Sequence, residues 1–197
     1  PVCCAGVGLK WMKERITLTA EKNIADTRTL ARMFSALNDC SKPVVGLVHG
    51  AAIGGGVGLV SICDYVICSK ETVFSLAEVR LGIIPACIGP FVISKIGQSH
   101  ARAYFMSAER FTAERALAIG LVHEIVDKPE ALDAAAQRII GNLLQCGPNA
   151  MAAAKSLVKE LPNKTNKDEC LEYVARVLAD LRVTPEGQEG LKAFLEK

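Results

Sequence analysis

The sequence predicts an α/β layer followed by a helical tail, and three observations carry that prediction. First, Pro43 introduces Val44-Val45-Gly46-Leu47-Val48, a short apolar run with β-branched residues that suits a buried strand. Second, a glycine-rich segment follows at once, and Gly55 to Ile62 then reads as a helix entered through that turn. Third, the apolar pattern changes after Pro90: from there to the C-terminus nearly every segment has helical spacing and helix-start residues. With 197 residues, half of them hydrophobic, the chain is long enough to bury a core.

Taken in order, residues 10–39 are rich in charged residues and helix formers. Leu30, Met33, Phe34 and Leu37 recur at helical spacing, which predicts a helix from Ile24 to Leu37. After the glycine-rich helix, Tyr65 to Cys68 and Thr72 to Ser75 read as two more short strands. Helices are then expected at Pro90–Ile96, Ser99–Ser107, Thr112–Ile119, Pro129–Gln145, Pro148–Leu161 and Lys167–Leu181, with a last one opened by Thr184-Pro185-Glu186. Thr112 is a good cap, and Pro148 after Gly147 has the fixed φ that suits a first turn. The organisation expected is a core over 1–130 and a helical region over 131–197.

Composition narrows the function. The formal charge is +2, from 23 basic and 21 acidic residues that form no cluster, and aromatics are 5%. No nucleic-acid stripe or base-stacking set is visible. The apolar stretch from Gly50 to Cys63 is too short for a membrane span and carries five glycines. Eight cysteines, at 3, 4, 40, 63, 68, 87, 146 and 170, form no CxxC pair and no zinc spacing. They read as small buried hydrophobes of a reducing compartment. The start, Pro-Val-Cys-Cys-Ala-Gly, has no signal pattern and reads as a chain that begins in the middle of something.

Two segments carry chemistry. His49-Gly50-Ala51-Ala52-Ile53-Gly54-Gly55-Gly56-Val57-Gly58 lies between a strand and a helix. Its glycines allow φ > 0 and close approach of a ligand to the backbone, and the helix start adds free N–H donors with a positive dipole end. Such a place suits a developing negative charge; tight helix–strand packing is the alternative. A dinucleotide motif fails because Leu59 stands where a glycine is required, and no Gly-Lys-Ser/Thr follows. The second segment is Phe74-Ser75-Leu76-Ala77-Glu78-Val79-Arg80-Leu81-Gly82-Ile83-Ile84-Pro85. Glu78, flanked by apolar residues, becomes a usable acid/base if burial raises its pKa; a salt bridge to Arg80 or an exposed loop charge is the competing reading. By itself, Cys3-Cys4-Ala5-Gly6-Val7-Gly8-Leu9-Lys10 reads as a plain loop before a helix.

In this order and spacing, however, the first segment, Pro-Val-Val-x-x-Val-His-Gly-Ala-Ala-x-Gly-Gly-Gly, Cys-Asp and Ser-Leu-Ala-Glu-Val-Arg-Leu-Gly-Ile-Ile-Pro resemble the enoyl-CoA hydratase/isomerase (crotonase) superfamily. The resemblance continues through Ala108-Glu109-Arg110-Phe111, Gly120-Leu121-Val122-His123 and Thr184-Pro185-Glu186-Gly187. Within the superfamily the sequence is most similar to methylglutaconyl-CoA and carboxygeranoyl-CoA-type hydratases. The resemblance implies an α/β crotonase-like ββα spiral with a C-terminal helical trimerisation region. It also implies that N-terminal strands common in such proteins are missing from this chain.

It further implies an acyl-CoA thioester substrate, whose carbonyl is held by the backbone N–H groups of Val7 and Gly55. Ala5, Leu9, Lys10, Gly54 and Pro85 are implied along the bound substrate. Glu78 matches the second glutamate of two-glutamate hydratases, whereas Gly58 stands where the first would be. Hydration of the C2=C3 bond through Glu78 is the first expectation. Isomerisation, with Glu78 moving a proton from C2 to C4, is the second, and a non-catalytic acyl-CoA-binding paralogue the third. Arg80, Lys95 and Arg102 are candidate cations for a carboxylated acyl chain. No metal, flavin, nicotinamide, nucleic acid or membrane is called for. A homotrimer or dimer of trimers in the cytoplasm is expected, with an organelle as the alternative.

Overall fold

The computed structural model describes residues 3, 4, 6 and 8–196, the side chains of residues 9 and 10 excepted. It divides into one unit of residues 1–40 with 44–137 and another of residues 41–43 with 138–197. The first unit opens with helices α1 (Leu9–Arg15) and α2 (Ala20–Asn38). α2 starts four residues before the periodic apolar pattern because Thr19 caps it, its hydroxyl accepting from the Lys22 N–H at 3.4 Å.

Strands and helices then alternate: β1 (Val45–Val48), β2 (Ala51–Ile53), α3 (Gly55–Ile62), β3 (Tyr65–Ser69) and β4 (Val73–Ser75). A 3-10 turn at Glu78–Leu81 precedes α4 (Gly89–Ser107), β5 (Arg110–Thr112), α5 (Ala113–Ala118) and β6 (Glu124–Val126). A second 3-10 turn (Pro129–Ala131) leads into α6 (Leu132–Leu143), within which the division between units falls. The other unit continues with α7 (Pro148–Glu160), α8 (Lys167–Arg182) and α9 (Pro185–Leu195).

Among the described residues six strands form two three-stranded sheets. In one, β1, β3 and β6 are all parallel, with Val45 opposite Tyr65 and Ile67 opposite Glu124. In the other, β4 pairs in parallel with β2 and antiparallel with β5. The chain therefore places one strand in each sheet before each of the helices α3 and α4, the winding of a ββα spiral. Gly50, at φ 69, makes the turn from the first sheet to the second. Between the turns the core is closed by side chains such as Val57, Ile67, Phe74, Leu76 and Leu121, all fully buried. Phe74 also stacks on Phe111 across the β4–β5 pair, with ring centroids 5.6 Å apart.

Several expectations change on inspection. β2, β5 and β6 are three-residue strands, too short to show period-2 alternation, and β5 carries exposed Arg110 and Thr112. The two helices expected between Pro90 and Ser107 share one span, broken at Gly97, whose φ of 75 and ψ of 160 are non-helical. The helix expected from Pro129 begins only at Leu132. Of the eight cysteines, Cys68 alone is fully buried; Cys3 and Cys146 are exposed and the rest half-buried.

Candidate active site

The site is built at the start of α3, where the second sheet ends. β2 delivers the chain into Gly54, which adopts φ 55 and ψ −117, a conformation few residues other than glycine sustain. Its N–H donates to the Ser75 carbonyl of β4 at 2.8 Å, so the turn is tied to the neighbouring strand. Its carbonyl accepts from Val57 at 2.9 Å and from Gly58 at 3.2 Å, opening the helix. The N–H groups of Gly55 and Gly56, the first two residues of α3, have no carbonyl within the helix to bind. They stand at the positive end of the α3 dipole.

The segment around Cys4 runs beside this turn. Cys4 forms a parallel bridge with Ala52, its N–H donating to Ala51 and its carbonyl accepting from Ile53. A Cβ on Gly56 would lie 2.7 Å from the Cys4 carbonyl oxygen, so only glycine lets the two backbones meet here. Gly6, at φ 88, turns the chain next to the Ile53 carbonyl.

Glu78 opens the 3-10 turn that follows β4, and its carboxylate lies against Gly54. A Cβ built on Gly54 would fall 2.8 Å from Glu78 Oε1. Oε2 is buried without a hydrogen-bond partner among the described residues. Burial raises the Glu78 pKa above its ordinary value, opposed in part by the residue's own backbone N–H. No salt bridge joins Glu78 to Arg80 among the described residues. The guanidinium instead donates through Nη2 to the Ala108 carbonyl at 3.1 Å.

Gly58, one turn into α3, faces the core. A Cβ there would lie 2.2 Å from Ile88 Cγ2 and 3.1 Å from Phe34 Cε1. The space that a side chain at position 58 would take is thus filled by Ile88 and Phe34. No side chain fits unless they move.

The structure brings Gly54, Gly55 and Glu78 together. Pro85 is buried in the loop after the turn, beside an open apolar cleft of about 290 Å³ lined by Ile84, Pro90, Ile93 and Phe105. Leu9 and Lys10 open α1, with side chains outside the described residues; Ala5 and Val7 lie outside them altogether. Of the candidate cations, Arg80 is engaged as above. Lys95 donates to the Cys63 carbonyl at 2.7 Å, at the far end of α3 from Gly54, and burial lowers its pKa. Arg102 is exposed on α4.

His123 serves structure: its ring accepts from the Val66 N–H at 2.8 Å and stacks on Tyr65. Among the described residues no group of three or more His, Cys, Asp or Glu could hold a metal ion, and no helix is long and apolar enough to cross a membrane. Sequence reasoning missed the Cys4 crossing and the Arg80–Ala108 link. The glycine at 56 was the only signal for the first.

A ββα spiral thus sets the first turn of α3 beside one half-buried carboxylate, that of Glu78. Residues 1–197 match the enoyl-CoA hydratase/isomerase family, and the chain belongs to this family of enzymes. It is similar to an Arabidopsis thaliana protein named probable enoyl-CoA hydratase 2, mitochondrial, at 33% identity over all of this chain and 64% of the relative. A second Arabidopsis relative, named peroxisomal Delta(3,5)-Delta(2,4)-dienoyl-CoA isomerase, is 28% identical over 86% of this chain and 61% of its own length. Among solved structures, an enoyl-CoA hydratase from Shewanella pealeana superposes with a TM-score of 0.95 at 42% identity, over 99% of this chain and 72% of that one. The chain spans between 55% and 76% of the length of the curated relatives it matches.

Proposed function

We propose that the chain hydrates the C2=C3 double bond of an enoyl-CoA thioester. The observation that carries this reading is the Glu78 carboxylate, half-buried, with one oxygen unpartnered, set against Gly54 where α3 begins. The thioester carbonyl oxygen sits at the Gly55 N–H, with the Val7 N–H as second donor. Glu78 takes a proton from a water whose oxygen bonds to C3. The C2=C3 electron pair moves toward the carbonyl, and the two N–H groups hold the enolate oxygen. Collapse of the enolate with a proton from Glu78, or from a water it holds, forms the C2–H bond and restores the carboxylate. One such donor is worth about 3–4 kcal/mol of transition-state stabilisation.

The substrate proposed is a branched, carboxylated enoyl-CoA such as 3-methylglutaconyl-CoA. A homotrimer or dimer of trimers is proposed with it, checked by light scattering. Cytoplasm is the compartment proposed.

A second reading, isomerisation with Glu78 taking a proton at C2 and returning it at C4, is favoured by the closure of Gly58. Turnover of 3-methylglutaconyl-CoA and crotonyl-CoA in labelled water, beside Glu78→Gln, separates the two. Oxygen incorporation lost in the variant supports hydration. Tight thioester binding without oxygen uptake sinks hydration and calls for a 3-enoyl-CoA substrate; binding without any turnover leaves an acyl-CoA-binding paralogue.

A further inference from the structure

The candidate site has two halves, the backbone turn at Gly54–Gly55 with the Gly55 N–H and the carboxylate of Glu78, and one small network sets their spacing. Ser75 stands at its centre. The Ser75 carbonyl accepts the Gly54 N–H at 2.8 Å. Its buried hydroxyl donates to the Ala108 carbonyl at 3.2 Å, and Arg80 Nη2 donates to that same carbonyl at 3.1 Å. Arg80 belongs to the 3-10 turn that Glu78 opens, so its grip on Ala108 holds the turn against β4.

Ala108 is suited to this use and strained by it. It is the one non-glycine residue of positive φ among the described residues, at 50, and it ends α4 with its N–H on the Tyr104 carbonyl. Its carbonyl consequently turns out of the helix to accept two donors at once. Such a conformation costs about 1–3 kcal/mol and persists only where the surroundings hold it. The guanidinium also stands at the negative end of the α4 dipole, which favours a cation there.

We propose that Arg80 is a positioning residue for Glu78, acting through the Ala108 carbonyl to hold the turn that aims the carboxylate at Gly54. The proposal rests on the reading of Glu78 given above. Arg80 touches no reacting atom in this scheme. It does not set the charge of Glu78 either: burial and the residue's own N–H account for that shift, with no charged side chain contributing.

This separation makes the test decisive. Losing a nearby positive charge alone would move the Glu78 pKa up, whereas a loosened turn admits water to Oε2 and moves it down. The Glu78 carboxyl is titrated by carbon-13 NMR in wild type, Arg80→Met and Arg80→Lys, and kcat and KM are measured on the same proteins. In Arg80→Met the midpoint should fall toward the ordinary glutamate value and kcat should drop on the order of 10- to 100-fold with KM little changed. Arg80→Lys, which keeps a cationic donor, should recover most of both effects. An unchanged or raised midpoint in Arg80→Met overturns the proposal, as does a lysine variant as impaired as the methionine one. If no thioester is turned over by wild type, the reading of Glu78 fails, and the titration still decides whether Arg80 holds the turn.

Discussion

Two helices of this chain begin beside a carboxylate, and they treat it in opposite ways. At α7 the Glu186 carboxylate from α9 accepts the N–H groups of Asn149 at 3.1 Å and Ala150 at 2.9 Å, and the Asn149 side-chain amide at 3.0 Å. The helix start is thereby satisfied from within its own unit. Gly147 leaves the room, since a Cβ there would fall 2.3 Å from Glu186 Oε1. At α3 the Glu78 carboxylate also lies against the cap glycine, Gly54, its Oε1 2.8 Å from where a Cβ would fall, yet its Oε2 accepts no hydrogen bond among the described residues. One carboxylate is spent on a cap; the other lies beside a helix start with one oxygen that accepts no hydrogen bond among the described residues. The same pair of groups is structural in the first case; in the second it is the pair to which the proposed function assigns chemistry.

Replacing each glutamate by glutamine sharpens the contrast most. Glu78→Gln should lower turnover by about 10²–10⁴-fold, the usual worth of a positioned acid/base. Its stability should move the other way. Burial raises the Glu78 pKa, so the folded state favours the protonated form. That contribution is fully present below the unfolded glutamate pKa and is lost as pH rises through the higher folded one. Glutamine cannot ionise, so the variant should melt higher than wild type at neutral pH and alike at acid pH, as calorimetry at the two pH values would show. A variant that melts lower at neutral pH would contradict the account of Glu78 as a carboxylate held at a cost. In the active protein, the acid limb of kcat/KM should fall above the ordinary carboxylate range.

The next largest effect tests whether α3 has room for a second acid. Gly58→Glu places its Cβ on Ile88 and Phe34, and overpacking of this kind costs about 1–3 kcal/mol or more. The variant should unfold at lower denaturant with no gain in hydration. Gain of turnover with unchanged stability would show that the wall at Ile88 yields easily, which would break the single-carboxylate reading.

How much of this was legible in the sequence follows from the range of the interactions. The glycine run between Val48 and Val57 marked the open helix start because three adjacent glycines have few uses other than positive φ and close backbone approach. Glu78 was legible as an ionisable residue among apolar ones. The amphipathic helices of the other unit, α7 to α9, could be read from spacing and caps alone. What the sequence did not carry were contacts between distant segments that leave no local pattern. Examples are Ile88 filling the space at Gly58, the Cys4 carbonyl crossing Gly56, and Arg80 reaching Ala108 rather than Glu78. The three-residue strands β5 and β6 escaped for a related reason, whereas β4 was legible: β5 and β6 are fixed by partners far along the chain, not by their own composition.

On the other side of the comparison, Glu186→Gln should reduce stability by about 1 kcal/mol and leave turnover unchanged. Glutamine still accepts one of the N–H groups but loses the negative charge at the α7 start. Thermal melts and steady-state rates measured together would check both halves. A loss of turnover equal to that of Glu78→Gln would mean that the two helix starts are not functionally distinct.

The smallest effect comes from a cap with no carboxylate at all. Thr184 accepts the Gly187 N–H at 3.0 Å through its hydroxyl and donates to the Leu181 carbonyl at 2.7 Å, joining the end of α8 to the start of α9. Thr184→Ala removes one acceptor for a helix-start donor and should cost about 0.5–1 kcal/mol, with Thr184→Ser recovering most of it. α9 also places Glu186 at α7, so the alanine variant should weaken the Glu186 cap in turn. A double variant with Glu186→Gln should then lose less than the sum of the two single losses. Strict additivity in denaturant melts would mean that α9 keeps its start without Thr184, and that Glu186 caps α7 independently of how its own helix begins.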